Sequence, residues 1–381
     1  MAKRVSPSNI MERKFLITSI FITLGAIAFL SGYLLMPEGG QEQQAHLTFS
    51  SENLDGRTGL LTNRFRNKVE INVPESKAPN TLPLSSREFI SFVQPFSDSK
   101  KIVAMTIKGE IVEIDMAYLI EKVIPAHQVD IMETVFSPAG NAVIFSFYST
   151  VNDKKWVYHN LKTGGSSEIA GDLKSAAFSP DGIQAVYLIN NEDGGELLVA
   201  KDGKIIKRAL KTRLGATLVT WPLDDFISIV SYDKSGYGDL FTLKKDGGFN
   251  KVLSYQYDLN AKWSPTDEKI IFSAKNDMGP TQLFYKDIKN SGAVTILDAN
   301  TNVSKCVWVD KENVICGITD KTQIRDEFYK INLTDGSKIL IATPDINLLV
   351  KELSLSRSGD ALFVLNDIDD KLYTLELAVR Y

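Results

Sequence analysis

Short apolar runs alternate with polar turns from Arg87 to Tyr381, and the runs have strand rather than helix length. One stretch shows the unit plainly. Residues 175–178 form a short apolar run, Ser179-Pro180-Asp181-Gly182 reverses it, and Ala185-Val186-Tyr187-Leu188-Ile189 is β-branched and aromatic. A polar stretch at 190–195 leads to Leu197-Leu198-Val199-Ala200. Asp202-Gly203 then supplies the positive φ angles of a tight hairpin, and residues 204–209 complete a fourth strand. The pattern predicts a four-stranded antiparallel sheet.

The reversing turn recurs. Its copies are Phe136-Ser137-Pro138-Ala139-Gly140, Phe178-Ser179-Pro180-Asp181-Gly182, Trp221-Pro222-Leu223-Asp224, Trp263-Ser264-Pro265-Thr266-Asp267, Trp308-Val309-Asp310-Lys311-Glu312 and Leu355-Ser356-Arg357-Ser358-Gly359, with a weaker one at Phe96-Ser97-Asp98-Ser99. The spacing is roughly 40–47 residues, the period of a propeller blade. The second turn signal returns as Thr163-Gly164, Asp246-Gly247 and Asp335-Gly336, always between third and fourth runs. The prediction is an all-β, seven-bladed β-propeller with repeats over 87–381. The last repeat runs out after three strands, so a segment ahead of the first must close the ring. Lys68-Val69-Glu70-Ile71-Asn72-Val73 is predicted to do so, which sets the propeller at 68–381.

Residues 15–36 carry no charge and would measure about 33 Å as a helix, enough for a bilayer core. They predict one transmembrane helix. Lys3, Arg4, Arg13 and Lys14 precede the run and Glu38 and Glu42 follow it, which makes residues 1–14 a cytoplasmic tail and places the propeller outside the cytoplasm. No small-x-small site follows the run, which favours an uncleaved signal anchor in the cell membrane over a cleaved signal peptide. Residues 37–67, rich in Gln, Glu, Asn, Ser and Gly, read as a flexible tether.

Composition narrows the function classes. With 44% hydrophobic and 24% charged residues and a formal net charge of -4, the chain offers nucleic acid no general attraction. No nucleophile elbow, zinc-protease helix or phosphate-cradling glycine loop is present. A non-enzyme without cofactor or bound metal is therefore expected. The three histidines share no ligand-like spacing, though His127 with Asp130 forms an alternative funnel pair for an enzyme or lectin acting on peptide or carbohydrate. Cys306 and Cys316 flank one turn at mirror positions, where a cross-strand disulfide and a pair of buried apolar thiols both fit. Trp221, Trp263 and Trp308 align with Phe136 and Phe178 and read as core.

Variable loops on a rigid scaffold are where binding usually resides. The stretches 148–155, 190–195, 233–238, 275–281, 319–326 and 367–370 join second to third strands and differ from one another. They share a face with the blade connections. Tyr148, Tyr237, Tyr255, Tyr257, Arg325 and Asp369 are the candidate contacts there, since Tyr and Arg are favoured interface anchors.

The run Phe178-Ser179-Pro180-Asp181-Gly182, Val186-Tyr187-Leu188 and Leu197-Leu198-Val199, echoed by Trp263-Ser264-Pro265, Ile270-Ile271-Phe272-Ser273 and Gln282-Leu283-Phe284-Tyr285, resembles the repeat of TolB-type, WD-repeat-like propellers of the bacterial envelope. The resemblance implies an extracytoplasmic platform that binds envelope proteins. The chain departs from that family in its apparent anchor and in a pre-propeller segment too short for a further domain. The repeat is also similar to the propeller half of prolyl-oligopeptidase-like peptidases, whose hydrolase half is missing here.

Overall fold

The computed structural model describes residues 81–377, apart from 125–130, 151–152, 192–193, 276–278, 291 and 320–323. The expected tail, membrane span, tether and 68–73 strand lie outside the described residues, as do His127 and Asp130. Among the described residues no helix is long and apolar enough to cross a membrane.

The described chain is all-β apart from a 3-10 turn at Val303–Lys305. After β1 (Thr81–Pro83), the first sheet runs β2 (Phe89–Val93), β3 (Lys101–Thr106), β4 (Ile111–Asp115), β5 (Ile120–Ile124). The second runs β6 (Ile131–Phe136), β7 (Ala142–Thr150), β8 (Asp153–Asn160), β9 (Ser166–Glu168), and the third β10 (Leu173–Phe178), β11 (Gln184–Asn191), β12 (Gly194–Lys201), β13 (Lys204–Thr212). A seven-stranded sheet comes next, with β14 (Ala216–Leu223), β15 (Phe226–Tyr232), β16 (Tyr237–Lys244), β17 (Phe249–Trp263), β18 (Lys269–Lys275), β19 (Thr281–Asp287) and β20 (Thr295–Ile296). The sheet after it holds β21 (Cys306–Trp308), β22 (Asn313–Thr319), β23 (Asp326–Asn332) and β24 (Lys338–Ala342); the last, β25 (Val350–Leu355), β26 (Ala361–Asn366) and β27 (Leu372–Glu376). All pairings are antiparallel. In the long sheet β17 serves twice, because residues 249–257 pair with β16 and residues 257–263 with β18.

The repeated turn owes its shape to its side chains. Ser179 Oγ accepts from the Gln184 amide (2.9 Å) and donates to Asp181 Oδ1 (2.5 Å), while Gly182 takes a φ of 70° that only glycine adopts without strain. The turns also touch one another. Ser137 Oγ lies 3.2 Å from the Gly182 carbonyl oxygen, the Phe96 amide donates to Pro138 O (3.0 Å), and the Arg357 amide donates to Gln94 Oε1 (3.1 Å), joining the last sheet to the first.

Apolar cores lie between successive sheets. Trp156 and Tyr158 pack with Leu173, Phe178 and Tyr187; Val186 and Leu197 with Ile229 and Phe241; Phe226 and Leu240 with Trp263 and Phe272. Phe363, Leu365 and Leu372 pack on Phe89, Phe92 and Ile102, so the end of the chain shares a core with its beginning. Trp263 and Trp308 are buried, Trp221 is half-buried, and Trp263 Nε1 donates to Ser228 Oγ (2.9 Å) on the neighbouring strand set. These aromatics belong to the core, as their alignment in the sequence indicated.

The fourth strand of the last sheet is β1, paired with β27 through Thr81↔Leu375, Leu82↔Thr374 and Pro83↔Tyr373. This corrects the expectation of residues 68–73. The latter have the stronger strand propensity, but β1 is held in place by its neighbour Leu84. That side chain is buried in the shared core and its amide donates to Leu372 O (2.9 Å), so the chain passes straight from this outer edge to β2. Pro83 is tolerated because an edge strand needs no outward donor.

Cys306 and Cys316 are directly opposed on β21 and β22, fully buried, and joined as a disulfide with Cα atoms 4.0 Å apart. Of the two arrangements the sequence left open, the cross-link is the one formed.

Candidate binding surface

Several stretches taken as loops are shorter than their polarity suggests. Residues 148–150 and 153–155 extend β7 and β8, and 190–191 and 194–195 extend β11 and β12. Polar side chains suit strand ends that leave the core; Lys154, for example, pairs with Glu133 of β6 at 2.5 Å. Tyr148 therefore sits on a strand, opposite Lys154 and 52% exposed.

The 233–236 loop is built by Asp233, whose Oδ1 accepts from the amides of Ser235 (2.8 Å) and Tyr237 (2.9 Å). Gly236 has a φ of 87°, and a Cβ there would stand 3.1 Å from the Tyr257 ring. The closeness lets that ring lie on the loop backbone. Opposite, β17 bends where Tyr255 and Asp258 adopt φ values of 54° and 55°. The strain at Tyr255 is held by Asp239, which accepts from the Tyr255 amide (2.8 Å) and from Lys251 Nζ (2.6 Å). Burial alone would raise the Asp239 carboxyl; these two donors hold it below its ordinary value.

The result is an aromatic cluster. Tyr237 and Tyr255 stack with centroids 4.0 Å apart and planes 6° from parallel, and Tyr257 leans on Tyr237 at 5.3 Å and 56°. Tyr255 is 66% exposed. Three of the sequence-selected residues thus meet at one place. The other two loop candidates serve their own turns: half-buried Arg325 donates to Pro344 O (3.2 Å), and Asp369 accepts from Tyr373 Oη (2.7 Å), Asn366 Nδ2 (2.9 Å) and the Lys371 amide (3.2 Å).

A second locus went unnoticed in the sequence. The row three residues before each turn aromatic or, in the last copy, before Leu355, namely Glu133, Ser175, Leu218, Asn260, Lys305 and Glu352, falls on β6, β10, β14, β17 and β25 or, for Lys305, immediately before β21. Glu133, Ser175, Leu218 and Glu352 line one cavity of about 400 Å³ together with Ser91 of β2. Strands β2, β6, β10, β14 and β25 therefore meet at this cavity. Protein surrounds Glu352, and burial pushes its carboxyl up to about 6, against hydrogen bonds from Ser91 and the Phe92 amide and the charge of Lys262. Burial likewise lowers Lys262, which lies two residues further along its strand than Asn260 and donates to Cys306 O (2.6 Å). Both residues remain partly exposed, and Glu352 lines the cavity. Among the described residues no group of three or more His, Cys, Asp or Glu is arranged to hold a metal ion.

Solved structures similar to the chain include TolB and other β-propeller proteins. The β-propeller domain of the Trilobed protease from Pyrococcus furiosus, described as having an open velcro topology, matches with a TM-score of 0.54 at 13% identity, over 77% of this chain and 98% of that one. The fold is a β-propeller. An oligogalacturonate lyase in complex with manganese matches with a TM-score of 0.59 at 12% identity, over 80% of this chain and 94% of that one. TolB from Acinetobacter baumannii matches at 13% identity and a TM-score of 0.42, over 78% of this chain and 63% of that one. At such identities the likeness concerns the fold alone, which hosts enzymes and binding proteins alike. No protein-family model matches the chain, and no curated protein sequence matches it.

Proposed function

We propose that this propeller is a seven-bladed, non-catalytic platform, anchored through residues 15–36 outside the cytoplasm, that captures an envelope protein on the loop face carrying Tyr237, Tyr255 and Tyr257. The blade count rests on dividing the seven-stranded sheet at β17, which serves as the outer strand of one blade and the inner strand of the next. The anchor rests on the charge-free run and its flanking charges.

The observation that carries the recognition reading is the stacked Tyr237–Tyr255 pair on an exposed bend. Aromatic anchors bind well when already immobile, because little rotamer freedom is left to lose. Here one ring braces the other and Asp239 fixes the backbone beneath.

The test is photo-crosslinking from the intact host membrane with a probe at Lys234, beside a control probe at Lys204 in a hairpin between third and fourth strands. Capture of one or two defined proteins at Lys234 alone is expected, with affinity falling at least about tenfold in Tyr237→Ala and Tyr255→Ala, as for central aromatic anchors. Equal capture by both probes, or capture indifferent to both variants, refutes the platform.

A further inference from the structure

Two clefts open at the far end of β16 from the tyrosine pair, since Tyr237 begins that strand and Lys244 ends it. The first, of about 390 Å³, is lined by Lys207, Arg208, Lys244 and Lys245 against one carboxylate, Asp224. The second, of about 480 Å³, repeats Lys244 and adds Lys251, Lys286 and Lys289 against Glu268. Lys244 and Phe226 line both, so the clefts adjoin. This concentration of positive charge runs against the chain's formal net charge of -4. Part of it is matched: Arg208 pairs with Glu196 at 3.2 Å, Lys251 with Asp239 at 2.6 Å and Lys244, more loosely, with Glu268 at 3.7 Å. Lys286 donates only to a neutral carbonyl, Val252 O (3.1 Å), while Lys207, Lys245 and Lys289 are exposed and form no ion pair among the described residues. Lysines on outer strands discourage edge pairing, which accounts for Lys207 on β13. It does not account for Lys244 and Lys286 on the third strands β16 and β19, or for Lys245 and Lys289 in the turns that follow them.

We propose that the two clefts together bind a linear, base-free chain of phosphodiesters, laid across Lys244 with phosphates in both. Clefts lined by one sign of charge over apolar walls, here Val199, Trp221, Phe226 and Leu243, focus the field on an incoming counter-ion. The kind of anion follows from the kind of cation. Planar carboxylates are read best by the arginine fork, and Arg208 already gives its Nε to Glu196; lysines act as point charges, which suit the spread charge of a phosphate. A lone phosphate would fill one cleft and leave the other repelling, whereas a chain answers both. Single-stranded nucleic acid asks for open rings on which bases stack. The rings here are buried Phe226 and half-buried Trp221, whose Nε1 is enclosed, so the bases would find no platform. This site is separate from the tyrosine cluster and does not depend on the platform reading.

The experiment is calorimetric titration of the full chain with a synthetic abasic phosphodiester oligomer, beside oligothymidylate of the same length, polyglutamate, polygalacturonate and inorganic phosphate. The abasic oligomer is expected to titrate to saturation, oligothymidylate to bind no more tightly, and the two polycarboxylates and inorganic phosphate to bind at least about tenfold more weakly. A chain meeting about four of these cations should lose about fiftyfold in affinity between about 50 and 200 mM salt. Lys245→Gln in the first cleft and Lys289→Gln in the second, both at exposed positions that leave the fold intact, should each weaken the oligomer at least about threefold and lower the salt slope by about 0.7. Lys234→Gln and Tyr237→Ala, at the other end of β16, should change neither. No binding of the abasic oligomer, tighter binding of oligothymidylate, equal binding of either polycarboxylate, or an affinity indifferent to Lys245→Gln or to Lys289→Gln overturns the proposal.

Discussion

Asp326 should be among the costliest single side chains to alter. It is fully buried at the start of β23 and accepts from Lys305 Nζ (2.9 and 3.0 Å), Thr319 Oγ1 (2.6 Å) and the Val350 amide (2.7 Å). One carboxylate thereby joins its own sheet to the start of β25. Asp326→Asn keeps the shape but turns an acceptor into a donor and leaves Lys305 without a counter-charge. Removing one partner of a buried pair costs about 3–5 kcal/mol. Lys305 is 21% exposed, so water offsets part of this and about 3 kcal/mol is expected. For a domain of about 300 residues, with an unfolding entropy of about 2.1 cal/mol/K per residue, that is a fall of about 5 °C in melting temperature. The assay is circular-dichroism melting of the full chain, with Asp298→Asn as control, because its pair with Lys338 is largely exposed and should matter by a degree or two at most. A melt within about 2 °C of wild type would refute the reasoning. So would a Lys305→Met, Asp326→Asn double variant no better than the single, since it no longer buries a lone cation.

The Cys306–Cys316 link closes a loop of separation 10, worth about 3 kcal/mol in chain-entropy terms. Reductant should lower the wild-type melting temperature and leave the Cys306→Ser, Cys316→Ser variant unmoved; equal sensitivity would count against the cross-link. Glu352 supplies a pH signature. Its folded carboxyl is raised from 4.5 to about 6, so the native state holds the proton more tightly than the unfolded chain. The stabilisation is fully present below about pH 4.5 and is lost as pH rises through about 6, a change of about 2 kcal/mol. Urea unfolding should show that loss in wild type relative to Glu352→Gln, and a pH-independent difference would remove the basis for it.

The blades were legible because both turn signals are local. Ser179, Asp181 and Gly182 bond among themselves, and Asp202-Gly203 needs only its own hairpin. The tyrosine cluster was half legible: loop position selected Tyr237, Tyr255 and Tyr257, while their stacking depends on a bend at Tyr255 that no propensity announces. Strand propensity misled at 68–73, because a Thr-Leu-Pro edge strand is fixed by the buried Leu84 after it. Lys262 and Glu352 act on each other only once distant repeats share a channel. A row-by-row comparison of the first strands would have exposed them, since the positions matching Lys262 include Val135, Ala177 and Thr220.

The N-terminal route into the domain is also its clasp. The described chain begins with β1, and β1 holds β27 through only three register pairs. Tension applied through the N-terminus would load this seam before the β2–β3 or β25–β26 ladders. The domain is therefore mechanically graded: slack, its two ends share one core; under pull from the N-terminus, the first rung to bear load is the short one between β1 and β27.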